Sequence, residues 1–286
     1  MPKLKALLAL LVLLSVPARA GRLCAFYLPE TDADVLFALD DAGRLHEGGL
    51  EGWGTVNTPC RGGGPYDLLV LDRPEEAGRL NILVIDGAGQ LYEVSAEEWR
   101  PVGEPLAGEA PYRLGGYAVA EGAAEVYALD AAGWLWRFIE GWEAVSGPIG
   151  GTPPYDLDLL HYAPTGVSLF LAMDSAGVLH TRFGEGWEPH AGFEDAAGAP
   201  YLVSGFYDPA SLAVFILVMD STGQVHSDED GVFVAVGEPF SGEPPFDLAT
   251  LVHEHEDRYY IAALSATGNL AVMRSDGGWE TFFESF

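Results

Sequence analysis

The chain has 286 residues, and its 43 acidic side chains outnumber 14 basic ones, for a net charge of −29. A surface this negative repels phosphate backbones and anionic lipid, so nucleic acid is excluded as a partner; cations are favoured instead, calcium first. Hydrophobic residues make up 49% of the chain, yet no apolar run reaches the roughly 20 residues a membrane span needs, which excludes insertion.

The N-terminus is a targeting segment rather than part of a fold. Lys3 and Lys5 give a basic start, Ala6 to Val16 is an apolar run, and Pro17-Ala-Arg-Ala20 offers the small residues a signal peptidase reads. Residues 1–20 are expected to be a cleavable signal peptide, and the mature protein to be secreted or periplasmic. Leu23, not a small residue, precedes Cys24, so there is no lipoprotein box. Cleavage removes three basic residues and no acidic one, leaving a net charge of about −32 that serves solubility.

From residue 21 onward the chain is a repeat. An apolar run, Asp-x-x-Gly, then x-Leu/Val and a bulky or polar residue recur around Asp40, Asp86, Asp130, Asp174 and Asp220, with Ser265 in the sixth place. The turns start 46, 44, 44, 46 and 45 residues apart, a period that signifies stacked repeats. Asp, or more weakly Ser, at the first turn position bonds backbone two residues on. Gly at the fourth accepts the left-handed conformation. The aspartates are therefore expected to be structural.

Each repeat holds four strand candidates. The first follows a Pro-aromatic pair: Pro65-Tyr66, Pro111-Tyr112, Pro154-Tyr155, Pro200-Tyr201 and Pro245-Phe246. The second is the most apolar: residues 35–39, 81–85, 125–129, 168–173, 213–219 and 259–264. Such runs suit strands covered on both faces. A mixed third strand follows the turn. A short polar fourth opens at Trp53, Trp99, Trp142, Trp187 and Trp279, with Val232 in the fifth repeat. Small residues in the first strands (Gly115, Gly116, Ser204, Gly205) suit a crowded axis, and a polar fourth strand suits an outer edge. The fold is predicted to be all-β: a single six-bladed β-propeller of four-stranded antiparallel blades over residues 21–286, and a monomer.

The hairpins Leu36-Phe-Ala-Leu-Asp40-Asp-Ala-Gly43-Arg-Leu-His46 with Gly52-Trp53, and Val126-Tyr-Ala-Leu-Asp130-Ala-Ala-Gly133-Trp-Leu-Trp136 with Gly141-Trp142, resemble the repeats of tachylectin-type and related bacterial lectin propellers. That resemblance implies sugar binding in grooves between blades. The outline is also similar to fucose-lectin propellers, whose site needs an Arg on the second strand beside a Glu and an aromatic. No interior Arg lies on the second strands, so fucose specificity is not implied. Asp-x-x-Gly resembles the quinoprotein repeat too, but the spacing is one residue short and redox motifs are missing.

Four sets of residues bear on chemistry. His46, Tyr92, Trp136, His180 and His226, with Ala271 in the sixth place, stand just after the turns on the face opposite the Leu/Val, as strand alternation requires. Their flat rings with polar edges suit sugar recognition, or else packing between blades; the Trp ring at the fourth strands has the same two readings. Arg22, Asp67, Arg113, Asp156 and Asp247, with Leu202, follow the Pro-aromatic position and are expected at one mouth of the central channel. There they would form a salt-bridge ring or hold a cation such as calcium. Cys24 and Cys60, the two cysteines, are a candidate disulfide in an exported chain. His253-Glu-His255-Glu-Asp257 reads as a charged turn rather than a metal site. No Gly-x-Ser-x-Gly, His-Glu-x-x-His or phosphate loop occurs. The leading expectation is a non-enzymatic, lectin-like propeller that needs no cofactor and takes a glycan. An extracytoplasmic protein-interaction scaffold is the alternative, and a glycan hydrolase or lyase using channel carboxylates comes third.

Overall fold

The structure, a computed structural model, describes residues 20–28, 33–49, 52–56, 58–72, 80–95, 98–119, 124–162, 165–193, 199–208, 213–253, 258–273 and 278–284. Residues 1–19 of the expected leader and residues 254–257 of the charged turn lie outside the described residues. Twenty-four strands form six four-stranded antiparallel sheets, each built from four consecutive strands. The predicted six-bladed propeller is what forms.

Blade one is β1 (Ala20–Leu28), β2 (Ala33–Asp40), β3 (Leu45–Gly49) and β4 (Gly52–Thr55). Blade two is β5 (Asp67–Asp72), β6 (Leu80–Ile85), β7 (Leu91–Ser95) and β8 (Glu98–Val102). Blade three is β9 (Arg113–Ala118), β10 (Ala124–Leu129), β11 (Leu135–Phe138) and β12 (Trp142–Ala144). Blade four is β13 (Asp156–Tyr162), β14 (Val167–Met173), β15 (Val178–Arg182) and β16 (Trp187–Gly192). Blade five is β17 (Leu202–Asp208), β18 (Ala213–Met219), β19 (Val225–Glu229) and β20 (Val232–Val236). Blade six is β21 (Phe246–His253), β22 (Arg258–Ser265), β23 (Asn269–Met273) and β24 (Trp279–Glu284).

The Asp-x-x-Gly turn works as its chemistry demands. Asp174 Oδ1 accepts from Ala176 N at 3.0 Å and Val178 N at 2.8 Å, and Gly177 sits at φ 81°. Asp40, Asp86 and Asp220 repeat the pattern, and all five turn aspartates are buried. The turn glycine then holds the link to the next blade. Its carbonyl accepts from Cys60 N, Leu106 N, Ile149 N, Phe193 N or Phe240 N at 2.7–3.0 Å. Each of those residues plugs the space beneath its turn.

That register corrects the expected disulfide. No disulfide joins Cys24 to Cys60 in the structure. Cys60 takes the plug position that Leu106, Ile149, Phe193 and Phe240 take elsewhere, as a small buried hydrophobe. Cys24 pairs with Phe37, three residues along β2 from Asp40. It therefore lies about 10 Å along the strand from the turn above Cys60, beyond disulfide reach.

The core lies between blades rather than inside them. Six apolar clusters each join two neighbouring blades. The ring closes through one of them, where Leu23, Leu36 and Ala38 of blade one meet Ala249, Ala262 and Leu264 of blade six. Among the described strands, none is exchanged in closing it. The first strands of all six blades enclose an axial cavity of about 250 Å³.

Candidate functional site

The ring after the turns is committed to the turns. His46 Nε2, Tyr92 OH, Trp136 Nε1, His180 Nε2 and His226 Nε2 meet Oδ2 of the Asp six residues earlier at 3.0–3.4 Å. His46 and His180 are 7% exposed. Each Asp thus ties its turn with one oxygen and its third strand with the other. The structure spreads these five residues over five blades and turns their polar edges inward. Where the Asp becomes Ser265, the ring residue becomes Ala271 and the pair is lost together.

Among the fourth-strand tryptophans, Trp99 Nε1 donates to Thr58 O at 2.9 Å, Trp187 Nε1 to Ser146 Oγ at 3.1 Å and Trp279 Nε1 to Glu238 O at 2.7 Å. Each acceptor belongs to the preceding blade, so these rings anchor blade to blade. In blade five Phe233 supplies the packing, stacked on Phe193 at 4.6 Å.

The carboxylates expected at the channel mouth act as clasps. Asp67 Oδ2 accepts from Leu114 N at 2.5 Å and Asp156 Oδ2 from Val203 N at 2.8 Å, each reaching the next blade. Arg113 bridges them, with Nη1 3.4 Å from Asp67 and Nε 3.2 Å from Asp156. Asp67 and Asp156 are 1% and 4% exposed, which suits a structural ion pair more than an open mouth. Asp247 is buried, the Arg22 side chain lies outside what is described, and none of the four described residues lines the axial cavity. Among the described residues no group of three His, Cys, Asp or Glu is arranged to hold a metal.

A different place gathers chemistry: the cleft between blades three and four, at the end away from the Asp turns. Alternation along β10 aims Glu125 and Tyr127 at blade four, and alternation along β13 aims His161 back at blade three. Tyr117 and His161 stack at 3.7 Å with their planes 2° apart. Tyr127 OH donates to Glu125 Oε2 at 2.5 Å, and His161 Nδ1 lies 3.0 Å from Ser168 Oγ. The Tyr117 hydroxyl meets Ser168, Glu125 and Tyr127. Burial, then the Glu125 charge, pushes both tyrosines up. Burial pulls His161 down, so its ring is neutral at pH 7.

Two arginines flank this cluster in a chain with few. Arg137 holds Glu143 with Nε 2.9 Å and Nη2 2.5 Å from Oε1. Arg182 lies 5.2 Å above the Phe170 ring and donates from Nη2 to Val145 O at 3.3 Å. Its Nε is buried with no hydrogen-bond partner. Tyr117, Glu125, His161 and Arg182 all stay half-exposed. The sequence held a signal for this cleft: Glu125 is the one charge at a position that reads Val35, Asn81, Leu169, Phe215 and Tyr260 in the other second strands.

The comparisons with known proteins concern the fold. No known family profile and no curated protein matches the sequence. Solved structures do. The SapL1 lectin in complex with alpha-methyl fucoside superposes with a TM-score of 0.65 at 11% identity, over 92% of this chain and 95% of that one. The fucose-specific lectin from Aleuria aurantia gives 0.61 at 12%, over 93% and 94%. AofleA from Arthrobotrys oligospora gives 0.63 at 12%, over 92% and 85%. The chain is similar to six-bladed lectin propellers, and at these identities the likeness is one of fold.

Proposed function

We propose that this protein is a non-enzymatic, carbohydrate-binding propeller that works outside the cytoplasm and takes a glycan in the cleft between blades three and four. The observation that carries the reading is the Tyr117–His161 stack beside Glu125, with Arg182 over Phe170 in the same cleft. A sugar ring offers an apolar face of C–H groups and a rim of hydroxyls. The stacked pair offers a flat face for the first; Glu125 accepts from the rim and Arg182 donates to it. The fucoside-holding lectins among the similar structures support the same class of ligand.

The test is a glycan array that includes fucosides, run with calcium and with chelator, on the wild type, Glu125→Gln and His161→Ala. Binding by the wild type, weakened at least tenfold in both variants, supports the cleft. Binding that persists unchanged in both variants removes it. Loss of wild-type binding with chelator alone points to a cation elsewhere.

A second reading, a protein-interaction scaffold, draws on one observation. The outer strand β20 carries no charge, and Val232 and Val234 are 62% and 39% exposed. An uncharged edge strand is a template for a partner's strand. Silence on the array with a partner captured through β20, and lost in Val234→Lys, would favour this reading.

A further inference from the structure

We propose that strand β20 is a self-recognition edge, through which two copies of this chain join blade five to blade five in an antiparallel, two-fold dimer. Each blade ends in an outer strand, and all of these but β20 are guarded against pairing. β4 has four residues, Gly52 and Gly54 among them, and β12 has three. β8 and β16 carry Pro101 and Pro189 together with charges. β24 carries Glu280 and Glu284, and its pairing with β23 is bulged. β20 has none of these devices: it reads Val-Phe-Val-Ala-Val and keeps an unbroken register with β19. Among the described strands none pairs with its outer side. The edge lies on the rim of blade five, outside the cleft between blades three and four, so the proposal stands apart from the glycan reading.

The geometry of the strand itself names the occupant. Glu229 pairs with Val232 across a two-residue turn whose Asp230 and Gly231 sit at φ 56° and 87°, as a type I′ hairpin requires. Such a turn closes with the amide of Val232 on the carbonyl of Glu229. Alternation then aims the backbone groups of Val234 and Val236 at β19 as well, and those of Phe233 and Ala235 outward. With a two-fold axis at Val234, Phe233 of each copy stands opposite Ala235 of the other, and each such pair exchanges both of its N–H···O bonds. The side chains match in the same register. Val234 meets its own copy, Val232 meets Val236, and the large Phe233 faces the small Ala235. The three valines share one face of the sheet, so Val232 and Val234, exposed in the single chain, gain cross-strand apolar neighbours. A foreign strand carries no such built-in register. A two-fold contact also closes on itself, so growth stops at the dimer. Charge works against it: Asp230 and Glu238 lie just beyond the two ends of the strand, and each copy carries a net charge of −29. Salt screens that repulsion, so association should tighten as salt is added.

The test is sedimentation velocity on the full chain from micromolar to millimolar concentration, at low salt and in molar sodium chloride. The expected result is a monomer–dimer equilibrium that salt tightens at least fivefold, with no larger species. Val234→Lys sets two ammonium groups opposite each other and should leave a folded monomer. Val234→Cys reads the register. Residues facing each other across the axis form a non-hydrogen-bonded pair with Cα atoms about 4.5 Å apart, within the roughly 4.4–6.8 Å that a disulfide spans. Mild oxidation should therefore give a covalent dimer, and peptide mass spectrometry should find position 234 joined to position 234. Val232→Cys, whose thiols would lie at opposite ends of the strand pair, should not cross-link. Should Val234→Lys misfold, the cross-link still decides. A chain that stays monomeric at millimolar concentration in high salt would overturn the proposal. So would a dimer undiminished in Val234→Lys, or cross-linking of Val232→Cys as fast as Val234→Cys. A monomer that captures a foreign strand through β20 would overturn it too, and would give the edge to the scaffold reading.

Discussion

Replacing Asp174 with Ala tests whether the turn aspartates hold the blades or merely decorate them. The substitution removes acceptors for Ala176 N, Val178 N and Thr152 N and for the His180 ring, at 2.8–3.2 Å. Thr152 and Ala176 are exposed residues whose amides can turn to water, whereas Val178 is half-buried and His180 buried. A buried donor stranded without an acceptor costs about 1–3 kcal/mol, so two such donors with partial loss at the others come to about 3–4 kcal/mol. At roughly 2–4 °C per kcal/mol for a domain of this size, the thermal midpoint should fall by about 10 °C. Urea unfolding followed by tryptophan fluorescence at neutral pH measures it, with Asp174→Asn as the mild control. Asn keeps the Oδ1 acceptor and should lose only about 1–2 kcal/mol. Combining Asp174→Ala with His180→Ala should cost less than the sum of the two by about 1 kcal/mol, because they share one bond. A loss below about 1 kcal/mol for Asp174→Ala, or strict additivity in the double variant, would refute the claim that each Asp ties turn and third strand together.

Other expectations follow from single contacts. In Gly116→Ala the new methyl would lie 2.6 Å from Glu125 O and 2.9 Å from Leu69 Cδ2; overpacking of this kind costs about 1–3 kcal/mol, visible as a lower urea midpoint. Without reductant, the unfolded chain should release two reactive thiols to a chromogenic disulfide reagent, and one or none would restore the bridge. Burial raises Asp40 and Asp220, but backbone amides and the rings of His46 and His226 outweigh it and hold both below the usual value of 3.8. Their contribution is full above that value and lost as pH falls through the lower folded one, so acid unfolding should begin below about pH 4. His161 has the opposite sign. Burial keeps its ring neutral while the unfolded ring protonates near 6.5, so stability should decline as pH drops below 6.5. His161→Phe should flatten that slope; an unchanged slope would show that another group sets it.

The architecture was legible because it is written six times. Period, turn chemistry and apolar second strands each repeat, and strand limits such as residues 213–219 coincide with β18. The roles of the ring and of the two cysteines were not legible, because they depend on partners distant in sequence or on the register of a link. His46 looks like a ligand until Asp40 is seen 3.3 Å away. Cys60 looks like half a bridge until it is aligned with Leu106 and Ile149 under the turn glycines. The cleft was missed for another reason. Ser265 and Ala271 stand out because the repeat loses a functional group there, whereas the cleft is built from Glu125, Tyr127, His161 and Arg182, which add one. Alternation brings the four together only once blades three and four are placed side by side.

Arg182 shows why such exceptions point to function. In blades two and three its place on the third strand is taken by Val94 and Phe138, which pack against the neighbouring blade. The guanidinium instead loses hydration, which burial registers as a lowered affinity for its proton, and its Nε has no acceptor. Such an unpaired donor costs about 1–3 kcal/mol, offset by roughly 0.5–2 kcal/mol from the Phe170 ring and about 0.5–1.5 kcal/mol from the Nη2 bond to Val145 O. Met at this position would keep the aliphatic stem over Phe170 and remove the orphan. Arg182→Met should therefore leave the urea midpoint unchanged or raise it slightly, while weakening the glycan bound by the wild type at least tenfold. Local rules broken without structural gain are expected at functional sites. If Arg182→Met instead unfolded the protein readily and bound glycan as tightly as the wild type, the guanidinium would be a structural bolt, and the cleft would lose its donor.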